Sequence, residues 1–444
     1  MIDKNYNEKF RNFFQKFEKN YVLLKNKDEQ KYLFDLAVDF VEKNRDFVMQ
    51  YPLVQYWEDI DKTKYCEIKK ELLSQYQDKN VNLYFHIPFC KTKCTYCNFH
   101  IITGDKNKYL MEKIYIKKLK KEIDEFLEFN KKFTIDTIFI GGGTPSYLSE
   151  DSLEDLLSYI QNKFSRFYSK KIEFTFEGNP DSFDTEKLKI LKKYNVNRLS
   201  IGVQTFENEI LKAINRTYTD KIIYKTIELV KKSGFKNINV DMIYGLPGAN
   251  YLNMKSDLDK ISSLDVTHIT YYPLYYYDNS ILTVAGKKQN NIADIYNFYN
   301  EVVAKLREKG FKQYGREYFC KNNKIHNYQN NFVSNKILYG FGHSAYSFNS
   351  KTAFYKEQNL QEYLKKEDNI VKFYKYSEEI LDKRLFVLGS RNIKILKVNI
   401  KNIEYIRNSL KLPISLGLIT EKGNYFILTK LGLKYQEVLA HMIV

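Results

Sequence analysis

Three cysteines within eight residues constrain this chain more than any other feature. The stretch Tyr84–His100 reads Y-F-H-I-P-F-C-K-T-K-C-T-Y-C-N-F-H, with Cys90, Cys94 and Cys97 separated by three and then two residues. Thiolates are soft ligands that suit iron–sulfur clusters, zinc or copper(I). Three of them hold three corners of a cubane cluster and leave the fourth iron open to a small chelating ligand. The competing arrangement is a zinc knuckle, which needs a fourth ligand. Cys66, Cys320, His86 and His100 are the candidates, and none forms a second C-x-x-C pair. Five cysteines in all, an odd count with three in one stretch, fit the reduced thiols of a cytosol better than a disulfide framework, so a cytoplasmic location is expected.

From residue 80 a rhythm of short β-rich runs and amphipathic helical stretches sets in. The runs are Asn82–Pro88, Asp136–Ile140, Lys171–Phe176, Arg198–Val203, Asn237–Ile243 and Thr267–Tyr272. The helical stretches between them include Tyr109–Phe129, Ser152–Phe164, Thr185–Tyr194, Asp220–Ser233 and Tyr251–Ser263. Six strand–helix units predict an α/β fold with a parallel sheet, either a partial barrel or a doubly wound sheet.

In parallel barrels the chemistry sits at the C-terminal strand ends. Here the first run ends in the cysteine loop, the second in Gly141, Gly142, Gly143, Thr144 and Pro145, and the third in F-E-G-N-P with Glu177. The fourth ends in G-V-Q with Gln204, and the fifth carries Asp241 and Ile243 before Y-G-L-P-G. Polar or glycine-rich signals thus recur at one rim. Three glycines permit close backbone approach, which serves either a ligand or an ordinary turn. Glu177 is either a ligand contact or a salt-bridged carboxylate. Asp241 lies in an apolar run, where an uncompensated carboxylate is costly, so it needs a partner, either a structural Arg or a ligand hydroxyl.

Outside the barrel, residues 1–78 read as an amphipathic helical layer. Phe10, Phe13, Phe14, Phe17 and Tyr21 fall at helical spacing, as do Leu33, Leu36, Ala37, Phe40 and Val41. Residues 301–375 extend the 79–300 barrel. They carry His326 and His343, each either a contact for an iron or a propionate or, more commonly for a lone histidine, simply hydrogen-bonded. Residues 376–444 predict helices plus a hairpin turning at Gly423-Asn424, either a DNA-binding winged helix or a small lid. No apolar run reaches membrane-span length, and the start lacks the hydrophobic core of a secretory signal. A net charge of +17 is spread without a dense basic block, which argues for a solvated Lys-rich surface over nucleic-acid binding. Tyrosine is abundant chain-wide, at 38 residues, so the run T-Y-Y-P-L-Y-Y-Y reads as core packing before it reads as a ring-binding platform.

The cysteine spacing with its Y-F-H-I-P-F-C flank resembles the radical S-adenosylmethionine (SAM) superfamily. Within it, the similarity is to the branch of oxygen-independent coproporphyrinogen oxidases, haem chaperones and anaerobic haem-degrading methyltransferases of the anaerobilin synthase type. It is strong from Asn82 to Leu274 and looser elsewhere. The resemblance implies a partial (β/α)6 TIM-like radical SAM barrel with an N-terminal helical extension and a small α+β C-terminal domain that covers the active site. It implies a [4Fe–4S] cluster on Cys90, Cys94 and Cys97. Gly142, Gly143 and Thr144 would bind the amino-acid end of the cluster-bound SAM, with Tyr84 packed beside it and Glu177 in contact. Gln204, Arg216, Asp241 and Ile243 would line a second SAM site. The expected partners are haem or a related tetrapyrrole and a flavodoxin- or ferredoxin-type electron donor.

Shared chemistry follows from that resemblance: one-electron cleavage of SAM to methionine and a 5′-deoxyadenosyl radical, with the protein positioning the cofactors and excluding solvent. Coproporphyrinogen oxidases usually add a fourth cysteine where this chain has Phe99. Haem chaperones share C-x-F but usually begin shortly before the motif and carry P-x-A-H-S. This chain has about 80 residues in front, and reads H-S-A-Y-S with His343 and Tyr346 at the departing positions. The expectation is therefore a C-methyltransferase that opens the haem ring and releases iron. The alternatives are a haem chaperone without turnover, a coproporphyrinogen oxidase and, from charge alone, an RNA-modifying enzyme.

Overall fold

The computed structural model describes residues 12–14, 16, 17, 19, 20, 27–44, 51, 52, 54–104, 106–277, 280–286 and 292–443. Phe10 and Tyr21 of the expected N-terminal stripe lie outside them. A first long helix, α1 (Lys27–Asn44), precedes the sheet.

The six β-rich runs become six parallel strands in sequence order: β1 (Asn80–Ile87), β2 (Thr134–Gly142), β3 (Tyr168–Gly178), β4 (Arg198–Gln204), β5 (Ile238–Tyr244) and β6 (His268–Pro273). The crossovers include α2 (Lys108–Phe129), α3 (Glu150–Phe164), α4 (Thr185–Lys193), α5 (Asp220–Lys232) and α6 (Tyr251–Ser263). The expected α/β class and the (β/α)6 core are both present. Local chemistry explains the helices. In α3 the Ser149 hydroxyl caps the Ser152 N–H, Glu150 and Asp151 occupy the first turn, and Leu153, Leu156, Leu157, Ile160 and Phe164 form the buried stripe.

Both edges of the core are extended. Beside β6, the antiparallel strand β7 (Tyr318–Cys320) begins one edge. Beside β1 lies a seventh parallel strand, β8 (Leu338–Phe341). The antiparallel strands Tyr346–Phe348, Thr352–Lys356 and Ile370–Lys375 follow it.

Parallel strands buried on both faces usually read as continuous apolar runs. These strands alternate instead. Leu83, Phe85, Ile138, Ile140, Phe174, Phe176, Leu199, Ile201, Val240 and Ile269 join the main core under the helices. The opposite face presents Asn82, Thr137, Glu173, Thr175, Arg198, Ser200, Asn239, His268 and Thr270, all buried. The barrel lumen is therefore polar, and a short helix, α7 (Asn327–Val333), plugs its floor. Asn331 donates to the Asn82 side chain at 2.8 Å, and the Glu173 carboxylate accepts the Asn327 and Tyr328 N–H groups at 3.0 and 2.9 Å.

A second apolar core joins the two ends of the chain. Phe34, Ala37, Val38 and Val41 of α1 pack with Phe386, Val387, Ile406, Phe426, Leu433 and Val438. The latter belong to a unit with a three-stranded antiparallel sheet, whose hairpin Ile419–Lys422 to Tyr425–Leu428 turns at Gly423-Asn424. The N-terminal helix thus packs on the C-terminal unit. Trp57 is core, wedged against Tyr346 and Tyr355 with its N–H on the Pro52 carbonyl. Among the described residues no helix is long and apolar enough to cross a membrane.

Candidate functional site

The cysteine loop leaves β1 at the rim and is tied down at several points. Phe89–Cys90 pairs with Ile102–Thr103. The turn after β4 grips the loop from the other side. The Thr92 hydroxyl donates to the Asn215 carbonyl at 2.9 Å, the Asn215 side-chain amide donates to the Lys93 carbonyl at 2.8 Å, and the Thr95 N–H reaches the Ile214 carbonyl at 3.2 Å. Burial pushes the Cys90 thiol up to about 12, opposed by its contact with Thr144. Cys97 is raised for the same first reason. A soft metal centre entering this loop must displace those protons.

The glycine triplet at the end of β2 packs directly on that loop. The Gly143 and Thr144 N–H groups donate to the Ile87 and Phe89 carbonyls, each at 2.8 Å. Gly142 has φ +110°, and a Cβ there would sit 2.6 Å from the His86 ring. At Gly143 a Cβ would approach Cys90 Sγ to 3.0 Å and the Ile87 carbonyl to 2.9 Å. Only glycine lets the backbone approach this closely.

A hydrogen-bonded wall runs from the cysteines across the rim. Cys90 Sγ lies 3.3 Å from the Thr144 hydroxyl, and the Asn179 amide donates to that hydroxyl at 3.2 Å. Arg216 donates to Asn179 Oδ1 and to the Tyr96 hydroxyl, both at 2.7 Å. Its guanidinium therefore stands close to the thiols. Beyond Thr144 and Asn179 the surface opens into a polar pocket of about 330 Å³ that Lys91, Lys108 and Lys187 help to line.

Glu177 and Asp241 stand on neighbouring parts of the same rim. The Gly142 N–H donates to Glu177 Oε2 at 3.3 Å. Burial, then the nearby Asp241, raises the Glu177 carboxyl to about 8. Asp241 is raised mainly by burial. In place of the Arg or ligand hydroxyl expected as its partner, Ser200 and Asn239 donate to its two oxygens at 2.8 Å each. Gln204 adopts φ +69° at the end of β4, with Gly202 lying under its amide. Ile243 packs with the Leu246–Leu274 cluster. The Tyr84 hydroxyl meets His86 Nδ1 at 2.9 Å, and burial pushes the His86 imidazole down to about 3, so it is neutral.

Residues 84–261 match the radical SAM superfamily. The heme chaperone HemW of Bacillus subtilis is 34% identical over 276 residues, 60% of this chain and 70% of its own length. HemW of Buchnera aphidicola subsp. Schizaphis graminum is 31% identical over 365 residues, 79% and 95% of the two chains.

The chain belongs to the radical SAM superfamily, in its HemW and HemN branch.

Its fold is that of coproporphyrinogen III oxidase HemN from Escherichia coli, with a TM-score of 0.77, 19% identity, and coverage of 88% of this chain and 96% of that one. Radical SAM proteins carry a [4Fe–4S] cluster and SAM, and the donor set fits them. Three thiols lie on one pinned loop, a glycine-lined cradle presses on Cys90, and carboxylates and amides ring the space beside it. Of the other ligands considered for a zinc site, His86 and His100 stay near the rim, while Cys66 is exposed on the helix Tyr65–Leu73 and Cys320 is buried on β7 opposite His268.

Phe99, at the fourth-cysteine position, is half-exposed with its ring 6.2 Å from that of His86. His343 is fully buried just after β8, its ring 5.8 Å from His86 and 6.2 Å from His100, with one ring nitrogen on the Gln358 carbonyl. His326 corrects its expected grouping with the site. It caps α7 at the lumen floor, stacked on Phe139, at the opposite end of the strands from the cysteines. Sequence reasoning passed over Asn179, Tyr96 and Arg198, whose single polar or aromatic side chains acquire meaning only once the strand ends converge.

Proposed function

We propose that this chain is a haem-binding radical SAM protein of the haem-chaperone kind. The observation that carries the reading is its relation to heme chaperones at 31–34% identity, across up to 95% of their length. Phe99 in place of a fourth cysteine supports it against coproporphyrinogen oxidation.

In this reading Cys90, Cys94 and Cys97 hold the cluster. Gly142, Gly143 and Thr144 present backbone groups to the amino-acid end of SAM, while Tyr84 and Glu177 flank it. When bound, the pair supplies one-electron cleavage of a sulfonium carbon–sulfur bond. Arg216, fixed between Asn179 and Tyr96, places a permanent positive charge beside the thiolates. Haem and an external one-electron donor of the flavodoxin or ferredoxin type are the proposed partners.

Methyl transfer with ring opening is the second reading. It is favoured by Gln204 and Asp241, an amide at the end of β4 and a carboxylate within the adjacent β5. The N-terminal extension lends it less support than expected, because α1 packs on the C-terminal unit.

Anaerobic incubation of the reconstituted protein with haem, SAM and a reductant separates the two. The expected result is an intact Soret band on protein-bound haem, with no deoxyadenosine above background. Loss of that band with a mass gain of one methyl group would replace the chaperone reading with the second.

A further inference from the structure

Of the six histidines in the chain, five are buried. His268 engages both ring nitrogens, with Asn239 Oδ1 at 2.5 Å and the Tyr314 hydroxyl at 2.7 Å. His441 Nδ1 meets the Glu437 carbonyl at 2.7 Å. His326 stacks on Phe139 at the lumen floor, 3.8 Å from Glu173. His86 meets the Tyr84 hydroxyl, and His343 the Gln358 carbonyl. His100 alone is exposed. It lies three residues beyond Cys97, and the residue before it, Phe99, is 49% exposed. An imidazole and an apolar ring are thus open to solvent where the cysteine loop ends.

His343 adjoins this pair and carries an idle acceptor. Its Nε2 lies 2.6 Å from the Gln358 carbonyl. A carbonyl only accepts, so Nε2 holds the proton. Burial pulls the ring below its usual range, so it is neutral and Nδ1 presents a bare lone pair. That Nδ1 is buried and has no hydrogen-bond partner among the described residues, an arrangement native proteins seldom leave unanswered. Two imidazoles flank it. His86 lies 5.8 Å away between ring centroids, but its own Nε2 is also buried without a partner, so the two rings do not satisfy each other. His100 lies 6.2 Å away at 86°. An N–H···N bond sets imidazole centroids about 5 Å apart. A shift of about 1 Å therefore brings a His100 N–H onto Nδ1, and an exposed side chain has that freedom.

We propose that His100 is the axial ligand that receives the haem iron, with Phe99 against the porphyrin face and His343 Nδ1 accepting the other ring N–H of His100. One His100 nitrogen gives its lone pair to iron, and the proton stays on the other. Metal-bound imidazoles regularly place their second N–H on an acceptor, which fixes the tautomer and strengthens the ligand. The fold supplies that acceptor, itself oriented by the Gln358 carbonyl. His100 touches the iron, and His343 is a positioning residue. The cargo is then held beside the cysteine loop, away from the lumen floor and His326. The inference rests on the reading of this chain as haem-binding.

The test adds haem to the anaerobically reconstituted protein and records the iron–histidine stretch of the reduced complex by resonance Raman spectroscopy. Cluster iron and sulfide, haem affinity and thermal stability are measured alongside. The wild type should show the band. His100→Ala should lose it, and added imidazole should restore a nitrogen-ligated spectrum. His343→Leu should keep the band at lower frequency, with haem affinity down about tenfold. His343→Gln, whose amide oxygen can accept the N–H, should lie nearer the wild type. A merely structural His343 would lower stability without moving the band, and an unmoved band in both variants overturns its role. A band that survives in His100→Ala overturns the proposal, and its loss in His326→Ala instead would transfer the ligand to the lumen floor. If His100→Ala also loses cluster, imidazole still decides, because failure to restore the haem spectrum overturns the proposal. A wild type that takes up no haem would sink the underlying reading, an outcome distinct from all of these.

Discussion

Glu177 carries an electrostatic conflict at the rim. Its carboxyl ionises near 8 in the folded chain against an ordinary value of 4.5, because burial and Asp241 outweigh the Gly142 N–H and Arg198. The folded state therefore holds this proton over a range where the unfolded chain has lost it. Stability from this group is full below the unfolded value and declines as pH rises from about 4.5 to 8. The decline amounts to a few kcal/mol, roughly, if the whole shift is expressed. Urea denaturation of the metal-free protein across that range should show it, and Glu177→Gln should flatten the slope. An unchanged slope in the variant would assign the decline to other groups.

At the scale of elements, α7 offers the cleanest test of the plugged lumen. Its first N–H groups end on one buried carboxylate, Glu173, supplied by β3. Glu173→Ala leaves two buried donors unsatisfied and should cost about 1–3 kcal/mol in urea denaturation. Glu173→Gln, which keeps one acceptor, should cost less. A loss within error for both would mean that water replaces the cap. The six strands were legible in the sequence because each is a short β-rich run bounded by a helical period, and observed ends differ from the expected ones by a few residues. The rim was legible too, since cysteines, glycines and carboxylates interrupt apolar strands at their ends. The lumen was not. Asn82, Thr137, Glu173, Arg198 and Asn239 each read as one polar residue within a strand, and only the register reveals that they share one face. Strand β8 escaped notice for a different reason: L-Y-G-F is four residues long, and its glycine reads as a turn. The placing of His326 away from the rim, where it opens α7, can be read only from the fold.

Across the whole molecule, the two largest apolar cores among the described residues divide the work. The barrel core lies between the strands and their outer helices, and the other core is shared by α1 and the C-terminal unit. Phe386 is fully buried in the second. Phe386→Ala should cost about 3–5 kcal/mol there, while the anaerobically purified protein keeps its wild-type iron and sulfide content. Loss of iron in proportion to loss of stability would show that the two cores unfold as one.

The union of α1 with Phe386, Phe426 and Val438 has a consequence for biosynthesis. The ribosome delivers one half of that core hundreds of residues before the other. While the strands of the barrel are emerging and pairing, the apolar stripe of α1 waits without its mate, and it finds shelter only when Phe386 to Val438 have left the exit tunnel. Nascent chains arrested before about residue 380 should therefore display that stripe to holdase chaperones, long after the strands that carry the cysteine loop have been synthesised.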